Sequence, residues 1–318
     1  MSKKELISII VPCYNEEEVL PVFYKEINIF YKEMKHVDFE FVFVDDGSKD
    51  KTLNILKDFS KKDKRVRYIS FSRNFGKEAA MYAGIENVKG DYVAIMDADM
   101  QDPPSMLKTM YHYVNEEGYD CAALYTKSHE DYGLIRKTLT NVWYKLIDKI
   151  STTHQVPGAR DFRLMTRKMV EAIKNMPEYN RYTKGIFGFI GFNTKWIHYT
   201  AGKRAAGESK FNINKLIKYA LEGIVAFSTS PLLIAAHVGL LFCLVAFITI
   251  IVIILKTVIW GDPVAGWPSL ACLIVFIGGL QLFFFGIMGM YLSKIYLEVK
   301  KRPVYISKET SEDVDEED

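Results

Sequence analysis

Four oxygen-bearing side chains follow an apolar run in YVAIMDADMQDPP, residues 92–104. Asp97 and Asp99 are two residues apart, so they project the same way while the chain is extended, and Gln101 continues that spacing. Such hard oxygen ligands suit Mg²⁺ or Mn²⁺, which needs few protein carboxylates when phosphate oxygens complete its shell. We therefore expect a cation here that in turn holds a diphosphate. Capping of the next helix is the alternative for Asp99, and capping is expected for Asp102, which precedes a proline.

A second polar cluster lies in VDDGSKDKT, residues 44–52, at the end of another apolar run. Asp45, Asp46 or Ser48 can contact a nucleotide from this position. The alternative is an ordinary strand-to-helix turn in which Asp50 or Ser48 caps the helix.

A third cluster, SRNFGKEAA, spans residues 72–80 and contains Arg73, Asn74, Gly76 and Lys77. A glycine followed by a lysine at the start of a helix suits close approach to phosphate. An ordinary loop remains the alternative for this segment alone.

The elements that must position these clusters alternate along the first hundred residues. Apolar runs predict strands at 6–12, 39–45, 66–72 and 92–99, and helical spacing predicts helices at 15–34, 51–63 and 77–90. This order predicts an α/β fold with a doubly wound, mostly parallel sheet, which binds ligands at the carboxyl ends of its strands. Further helices are expected near 104–117 and 134–150, and short strands near 120–125 and 193–199.

Two long apolar runs, 232–255 and 269–292, predict a pair of membrane-spanning helices. Basic residues flank the pair at 203–218 and 294–302, which predicts that both ends of the hairpin face the cytoplasm. The segment 212–227 has the spacing of an amphipathic helix, either at the membrane interface or packed on the protein surface.

Composition and missing motifs argue against several other classes of protein. The chain has 318 residues, a formal net charge of +2 and four cysteines without a C-x-x-C pair, which argues against a disulfide framework or a zinc site. No Walker motif or G-x-G-x-x-G follows a strand, which argues against an ATPase or a dehydrogenase. The N-terminus runs straight into a strand, so the polar part is expected in the cytoplasm, and the acidic tail ETSEDVDEED is expected to be disordered.

Six segments in order carry a family resemblance: IIVPCYNEE, VDDGSKDKT, SRNFGKEAA, MDADMQDPP, DFRLMTRK and KRAAGESKF. Together they resemble the family 2 glycosyltransferases with the Rossmann-like GT-A fold. More closely, they resemble the polyprenyl-phosphate sugar transferases, the group of the bactoprenol glucosyltransferases and dolichol-phosphate mannose synthases.

The resemblance implies a role for each of several residues. It implies nucleotide contacts from Pro12, Tyr14, Glu16, Asp46 and Asp97, and metal coordination by Asp99 and Gln101. Lys77 joins the expected donor contacts because of the glycine and lysine pattern described above. It places Arg136, Arg204 and Ser209 near the acceptor phosphate, where Lys137 can share the role of Arg136, and Asp161 and Arg163 near the donor sugar or acceptor. For Arg136, Arg163 and Arg204 the alternative is a surface charge or a structural ion pair.

The activity implied is transfer of a sugar, with glucose favoured, from a UDP-sugar to undecaprenyl or another polyprenyl phosphate, with inversion and with Mg²⁺ or Mn²⁺. The implied setting is a bacterial-type inner or plasma membrane and the cell envelope, with no nucleic acid as partner and a homo-oligomer left open. The expected organisation is a cytosolic GT-A domain (1–210), a juxtamembrane helix (211–230), a transmembrane hairpin (231–293) and a basic, then acidic, cytosolic tail (294–318).

Two alternatives remain at this point. A processive polysaccharide synthase shares the front motifs, but neither its Q-x-x-R-W motif nor additional spans are found. A non-catalytic membrane scaffold on a transferase fold is the other, and the intact acidic cluster argues against it.

Overall fold

The computed structural model describes residues 4–126, 156, 158–199, 230–260 and 266–315. The predicted helices at 134–150 and 212–227 lie outside these ranges. So do four of the expected site residues, Arg136, Lys137, Arg204 and Ser209.

Strands and helices alternate through the N-terminal half, as predicted. The strands are β1 (Glu5–Cys13), β2 (Val37–Asp45), β3 (Val66–Phe71), β4 (Tyr92–Ile95), β5 (Cys121–Tyr125), β6 (Ala159–Thr166), β7 (Thr194–His198) and β8 (Ser307–Thr310). The helices are α1 (Leu20–Tyr31), α2 (Thr52–Lys62), α3 (Lys77–Asn87), α4 (Met106–Asn115), α5 (Arg167–Lys174), α6 (Thr183–Phe189), α7 (Ser230–Trp260), α8 (Trp267–Val299) and α9 (Ser311–Asp315).

The described strands form one mixed sheet in the order β7-β5-β6-β4-β1-β2-β3-β8. Its centre, β4-β1-β2-β3, is parallel. The strand β6 runs antiparallel between β4 and β5, and β8 runs antiparallel to β3. The α/β prediction is confirmed, with a parallel centre and mixed edges.

Helices cover both faces of the sheet, which explains why the central strands are continuous apolar runs. One core packs α1, α2 and α4 against one face, and the other packs α3 and α5 against the opposite face. Helix α3 approaches β1 closely because Gly84 faces Ile10: a Cβ at Gly84 would lie 2.2 Å from Ile10 Cγ2. This contact fixes the separation between the sheet and α3, whose first residue is Lys77.

The prediction that the acidic tail is disordered is wrong for its described part. Residues 307–310 form β8 on the edge of the sheet, and the tyrosine just before it, Tyr305, stacks on Phe71 at 4.9 Å. Glu312 then reaches Arg67 at 2.7 Å and Lys89 at 3.1 Å. The tail is ordered because an open strand edge offers unpaired backbone groups and nearby cations balance its acids.

The two long apolar runs form helices α7 and α8, of 31 and 33 residues. Their rings Phe242 and Phe276 lie 5.8 Å apart. Among the described residues, one stretch, Phe276–Val299, is long and apolar enough to cross a membrane by length and composition, with a mean hydropathy of 1.6. Pro231–Phe242 is apolar but shorter. The helical hairpin is therefore confirmed, whereas two spans are not.

Candidate active site

The register of the sheet brings the polar strand ends together. Ile10 pairs with Ile95 in parallel β4, and the backbone N–H of Met96 donates to the Ile10 carbonyl at 2.9 Å, so Pro12 and Asp97 both follow the last paired residues at this edge of the sheet. Ile95 also pairs with Arg163 in antiparallel β6, two residues after Asp161, and Lys77 Nζ contacts both Asp97 and Asp161. Residues that are far apart in the chain therefore meet at one edge.

The loops after β1 and β2 are bound to each other. The backbone N–H of Asn15 donates to Ser48 Oγ at 2.9 Å, and the backbone N–H of Lys49 donates to Asn15 Oδ1 at 2.9 Å. Asn15 has a positive φ of 55°, a conformation that asparagine tolerates well. Tyr14, which precedes it, is 42% exposed, so its ring offers a stacking surface at the strand end.

Asp46 holds the loop after β3. Its carboxylate accepts hydrogen bonds from the backbone N–H of Phe75 (2.6 Å) and of Gly76 (2.9 Å) and from the Asn74 side chain (2.9 Å). Burial raises the pKa of Asp46, although these donors oppose the shift. Gly47 permits this approach, because it has a φ of 65° and a Cβ there would lie 2.4 Å from the Arg73 carbonyl carbon. Asp46 thus anchors this loop, and its expected nucleotide contact stays a prediction.

The turn interpretation applies to the rest of that segment. Asp45 accepts from the backbone N–H of Ser48 at 3.0 Å and from Ser70 Oγ at 2.9 Å. Asp50 accepts from the backbone N–H of Thr52 at 3.0 Å, at the start of α2. These hydrogen bonds show that both acids shape the loops at the end of β2.

Lys77 joins two carboxylates at the centre of the site. Its Nζ lies 2.7 Å from Asp97 Oδ1 and 2.6 Å from Asp161 Oδ2, and Lys184 Nζ lies 3.7 Å from Asp161 Oδ1. Burial disfavours the charged forms of both Lys77 and Asp161, but their ion pairs outweigh this effect. The pKa of Lys77 is therefore raised and the pKa of Asp161 is lowered. The Lys77 side chain is 43% exposed, so the cluster is open to an entering ligand.

The acidic segment turns sooner than expected. Strand β4 ends at Ile95, so the predicted strand over 92–99 is too long, and the extended chain on which the same-side projection of Asp97 and Asp99 depended stops before them. Met100 has a positive φ of 57°, and the backbone N–H of Gln101 donates to Asp99 Oδ1 at 3.1 Å. Such backbone conformations are unfavourable for a non-glycine residue and gather at functional sites.

Asp102 is not a helix cap. Helix α4 begins at Met106, and Asp102 instead lies buried, where it accepts a hydrogen bond from the Tyr199 hydroxyl. Arg160 Nε lies 3.8 Å from Asp102 Oδ1, and Arg160 Nη1 donates to Gln101 Oε1 at 3.3 Å. Burial raises the pKa of Asp102, with these partners opposing the shift. Asp102 therefore anchors the acidic segment through Tyr199 and Arg160. The proline beside it predicted a helix cap and gave no sign of this role.

Arg163 lies beneath the site. Its side chain is fully buried, its guanidinium lies 3.5 Å from the Phe187 ring centroid, and its Nη2 donates to the Arg160 carbonyl at 3.0 Å. Burial lowers the pKa of Arg163. Arg163 is thus not a surface charge, and its described hydrogen bonds go to backbone carbonyls of the strand that carries Asp161, which gives it a supporting role that neither expectation named.

Three residues of the site were missed from the sequence: Arg160, Lys184 and Tyr199. Arg160 directly precedes the DFRLMTRK motif, and that adjacency was the one available signal. The other two reach the cluster through long-range packing, which leaves no local pattern.

The oxygen donors fit a hard cation held jointly with a ligand. Among the residues that the structure describes, no group of three or more His, Cys, Asp or Glu side chains is arranged to hold a metal. Asp97 is paired with Lys77, and Asp102 is bound by Tyr199. Asp99 and Gln101 are half-buried and carry hard oxygen atoms, the type of ligand that Mg²⁺ or Mn²⁺ takes together with phosphate and water.

Comparison with known proteins gives matches over nearly the whole chain. Residues 8–174 match the model of the family described as glycosyl transferase family 2. The chain is 42% identical to the SfII prophage-derived bactoprenol glucosyl transferase of Shigella flexneri, over 96% of this chain and 98% of that protein. It is also 42% identical to a prophage bactoprenol glucosyl transferase homolog of Escherichia coli strain K12, over 95% and 98%.

A solved structure, the mannosyl-3-phosphoglycerate synthase of Rubrobacter xylanophilus, matches with a TM-score of 0.47 and 16% identity over 70% of this chain and 73% of that one. At that level the structural match adds nothing to the assignment. The family model and the two relatives, over a site of carboxylates at the strand ends, show that the chain is a glycosyltransferase and belongs to glycosyl transferase family 2.

Proposed function

We propose that the enzyme transfers a sugar, with glucose favoured, from a UDP-sugar to a polyprenyl phosphate such as undecaprenyl phosphate. The observation that carries the proposal is the 42% identity to bactoprenol glucosyl transferases over nearly the full length of both chains. That similarity extends beyond the catalytic sheet into the helical hairpin, the part that a lipid acceptor requires.

The reaction exchanges two bonds at the anomeric carbon. A phosphate oxygen of the acceptor forms a bond to that carbon as the bond to the nucleoside diphosphate breaks, and the configuration inverts in a single displacement. The acceptor phosphate is already ionised near neutral pH, so the step requires no strong general base.

Asp161 is suited to alignment more than to proton abstraction. Lys77 and Lys184 hold its pKa below the ordinary carboxyl range, so it is ionised at neutral pH and only weakly basic. We assign Asp161 to positioning the donor sugar or acceptor. Lys77 would exchange one of its carboxylate partners for the donor diphosphate, which carries more negative charge.

Asp99 and Gln101 would hold a divalent cation together with the donor. When bound, that cation supplies positive charge against the departing diphosphate. The turn at Met100 and the buried Asp102–Tyr199 hydrogen bond hold these two side chains in place. Tyr14, exposed at the end of β1, is assigned to the nucleotide base, and Pro12 and Glu16 to the same pocket.

We place the enzyme at a membrane, with the catalytic domain (1–210) on the cytoplasmic side and both α7 and α8 crossing. A nucleotide sugar is soluble, whereas a polyprenyl chain is dissolved in the bilayer, so the active site must lie close to the inner surface. The exposed apolar side chains of Phe276–Val299 support this placement. Arg136, Lys137, Arg204 and Ser209 remain proposed contacts of the acceptor phosphate.

The test is a transfer assay with the full-length chain in detergent or membranes. We expect UDP-[¹⁴C]glucose, undecaprenyl phosphate and Mg²⁺ or Mn²⁺ to give a radiolabelled lipid and free UDP, and omission of the lipid to abolish both. UDP-N-acetylglucosamine, UDP-galactose and GDP-mannose in parallel identify the sugar and the nucleotide. No labelled lipid from any donor, with either metal, would reject the proposal.

A further inference from the structure

A cavity of ≈ 340 Å³ lies between the catalytic domain and the end of α8. Its walls come from three places: the segment Tyr179–Tyr182, the start of α3 and the C-terminal part of α8. Lys294 of α8 and Arg181 line it, and exposed Arg73 lies at its rim. None of these residues has a part in the proposed transfer reaction.

The segment that forms one wall is held firmly to α8. The backbone N–H groups of Tyr179 and Asn180 both donate to Glu298 Oε1, at 3.0 and 3.2 Å. Lys294 Nζ donates to Asn180 Oδ1 at 2.8 Å. The cavity is therefore a preformed feature of the contact between helix and domain.

The buried donors around the cavity are incompletely satisfied. Arg181 is 8% exposed, and among the described residues its Nε and Nη2 have no hydrogen-bond acceptor, nor does Asn180 Nδ2. A buried donor without an acceptor is unfavourable by about 1–3 kcal/mol, so such groups usually mark an absent partner. The missing partner must supply acceptor oxygens.

The charge balance of the walls favours an anion. Arg181 rests 4.1 Å from the Tyr82 ring centroid, and its Nη1 donates to the Met176 carbonyl. Burial lowers the pKa of Arg181, and the nearby acids Glu78, Glu178 and Glu86 oppose the shift. The acid in the wall, Glu78, is already bound by the backbone N–H and hydroxyl of Thr183. Lining cations thus outnumber the lining carboxylate.

We propose that this cavity binds a phosphate group, held by Arg181, Asn180 and Lys294, at a site separate from the Lys77–Asp97–Asp161 cluster. Arg181 presents a guanidinium fork, which matches phosphate oxygens well, and Lys294 adds a point charge. The phosphate belongs either to a lipid headgroup that reaches the end of α8 or to a free phosphate.

The test measures thermal unfolding of the full-length protein in non-ionic detergent. The probes are inorganic phosphate, short-chain phosphatidylglycerol and short-chain phosphatidylcholine, each titrated at constant ionic strength with chloride as the reference anion. A ligand that binds the folded state raises the midpoint with its concentration, which gives an apparent affinity. Lys294→Met and Arg181→Met are compared with Lys300→Met, an exposed residue on the same helical end that does not line the cavity.

We expect phosphate or phosphatidylglycerol to raise the midpoint of the wild type, and Lys294→Met to weaken that affinity about tenfold or more, as loss of a charged hydrogen bond does. Lys300→Met should leave it unchanged. Stabilisation by inorganic phosphate alone identifies a free-phosphate site, and stabilisation by phosphatidylglycerol alone identifies a lipid site; each supports the proposal.

No stabilisation by either probe, or equal stabilisation of the wild type and Lys294→Met, would overturn it. Lys294 is a partly exposed side chain on a helix, so Lys294→Met should fold. Its phosphate affinity can then be measured even where Arg181→Met fails to fold. Asp99→Asn should bind phosphate as the wild type does, so the outcome is independent of the sugar transfer reaction.

Discussion

The Nζ of Lys77 lies 2.6 Å from Oδ2 of Asp161, although the two residues are 84 positions apart in the chain. The same ammonium group contacts Asp97 at 2.7 Å. One cation thus joins the start of α3 to the segment after β4 and to the start of β6. This contact balances two carboxylates that would otherwise repel each other at the same strand edge.

Replacing Lys77 by methionine should lower kcat/KM for UDP-glucose by about hundredfold, because the two carboxylates lose their common partner and shift. Lys108→Met, an exposed change on α4, should leave it unchanged. Steady-state kinetics of lipid product formation check this. A wild-type value of kcat/KM in Lys77→Met would show that Lys77 is not part of the active site.

Replacing Asp99 by asparagine should raise the Mn²⁺ concentration needed for half-maximal activity by about tenfold or more, because the cation loses a charged ligand. Asp58→Asn, exposed on α2, is the matched control. A metal titration of the transfer rate at fixed UDP-glucose measures the shift. An unchanged metal requirement would contradict the assignment of Asp99 as a ligand.

Asp161 should make stability depend on acid pH. Its pKa in the folded state lies below the ordinary value of 3.8, so its ion pairs contribute fully above that value and are lost as the pH falls below it. The urea midpoint of the wild type should therefore fall more steeply below pH 4 than that of Asp161→Asn. The control is Asp38→Asn, whose side chain is 57% exposed and which should follow the wild type. Parallel curves for all three proteins would count against the ion pair.

Replacing Tyr199 by phenylalanine should destabilise the fold by about 1–3 kcal/mol, because the buried carboxylate of Asp102 loses its donor. A double-mutant cycle with Asp102→Asn isolates the pair. Denaturant unfolding of the four proteins gives the coupling. A coupling energy near zero would mean that the hydrogen bond does not hold the acidic segment.

Replacing Tyr305 by alanine should destabilise the protein by about 2 kcal/mol, because its stacking on Phe71 is lost and the edge strand loosens. Lys308→Ala, exposed on β8, provides the control. Urea unfolding and protease sensitivity of the C-terminal tail check this. Equal stability of both variants would show that β8 is held by its backbone pairing alone.

Local sequence patterns were sufficient to predict the parallel centre of the sheet. Strands such as β1 are buried on both faces, so their apolar runs appear directly in the sequence, and the helices between them have their own spacing. The clusters at the strand ends follow from that order, because parallel strands end at one edge. The predictions for Asp99 and Asp102 were incomplete because both residues lie in a loop. Their surroundings depend on residues from β6 and from later in the chain.

The sequence by itself determined the alternation of strands and helices, the helical hairpin, the family and the grouping of polar residues at one edge. The tertiary structure alone decided how those residues are used: Lys77 between two carboxylates, Asp46 as a loop anchor, Arg163 below the site and the acidic tail as a strand. The reason is that hydrophobic periodicity is a local property of the chain. The partner of a buried charge is set by sheet register, which joins residues that are distant in sequence.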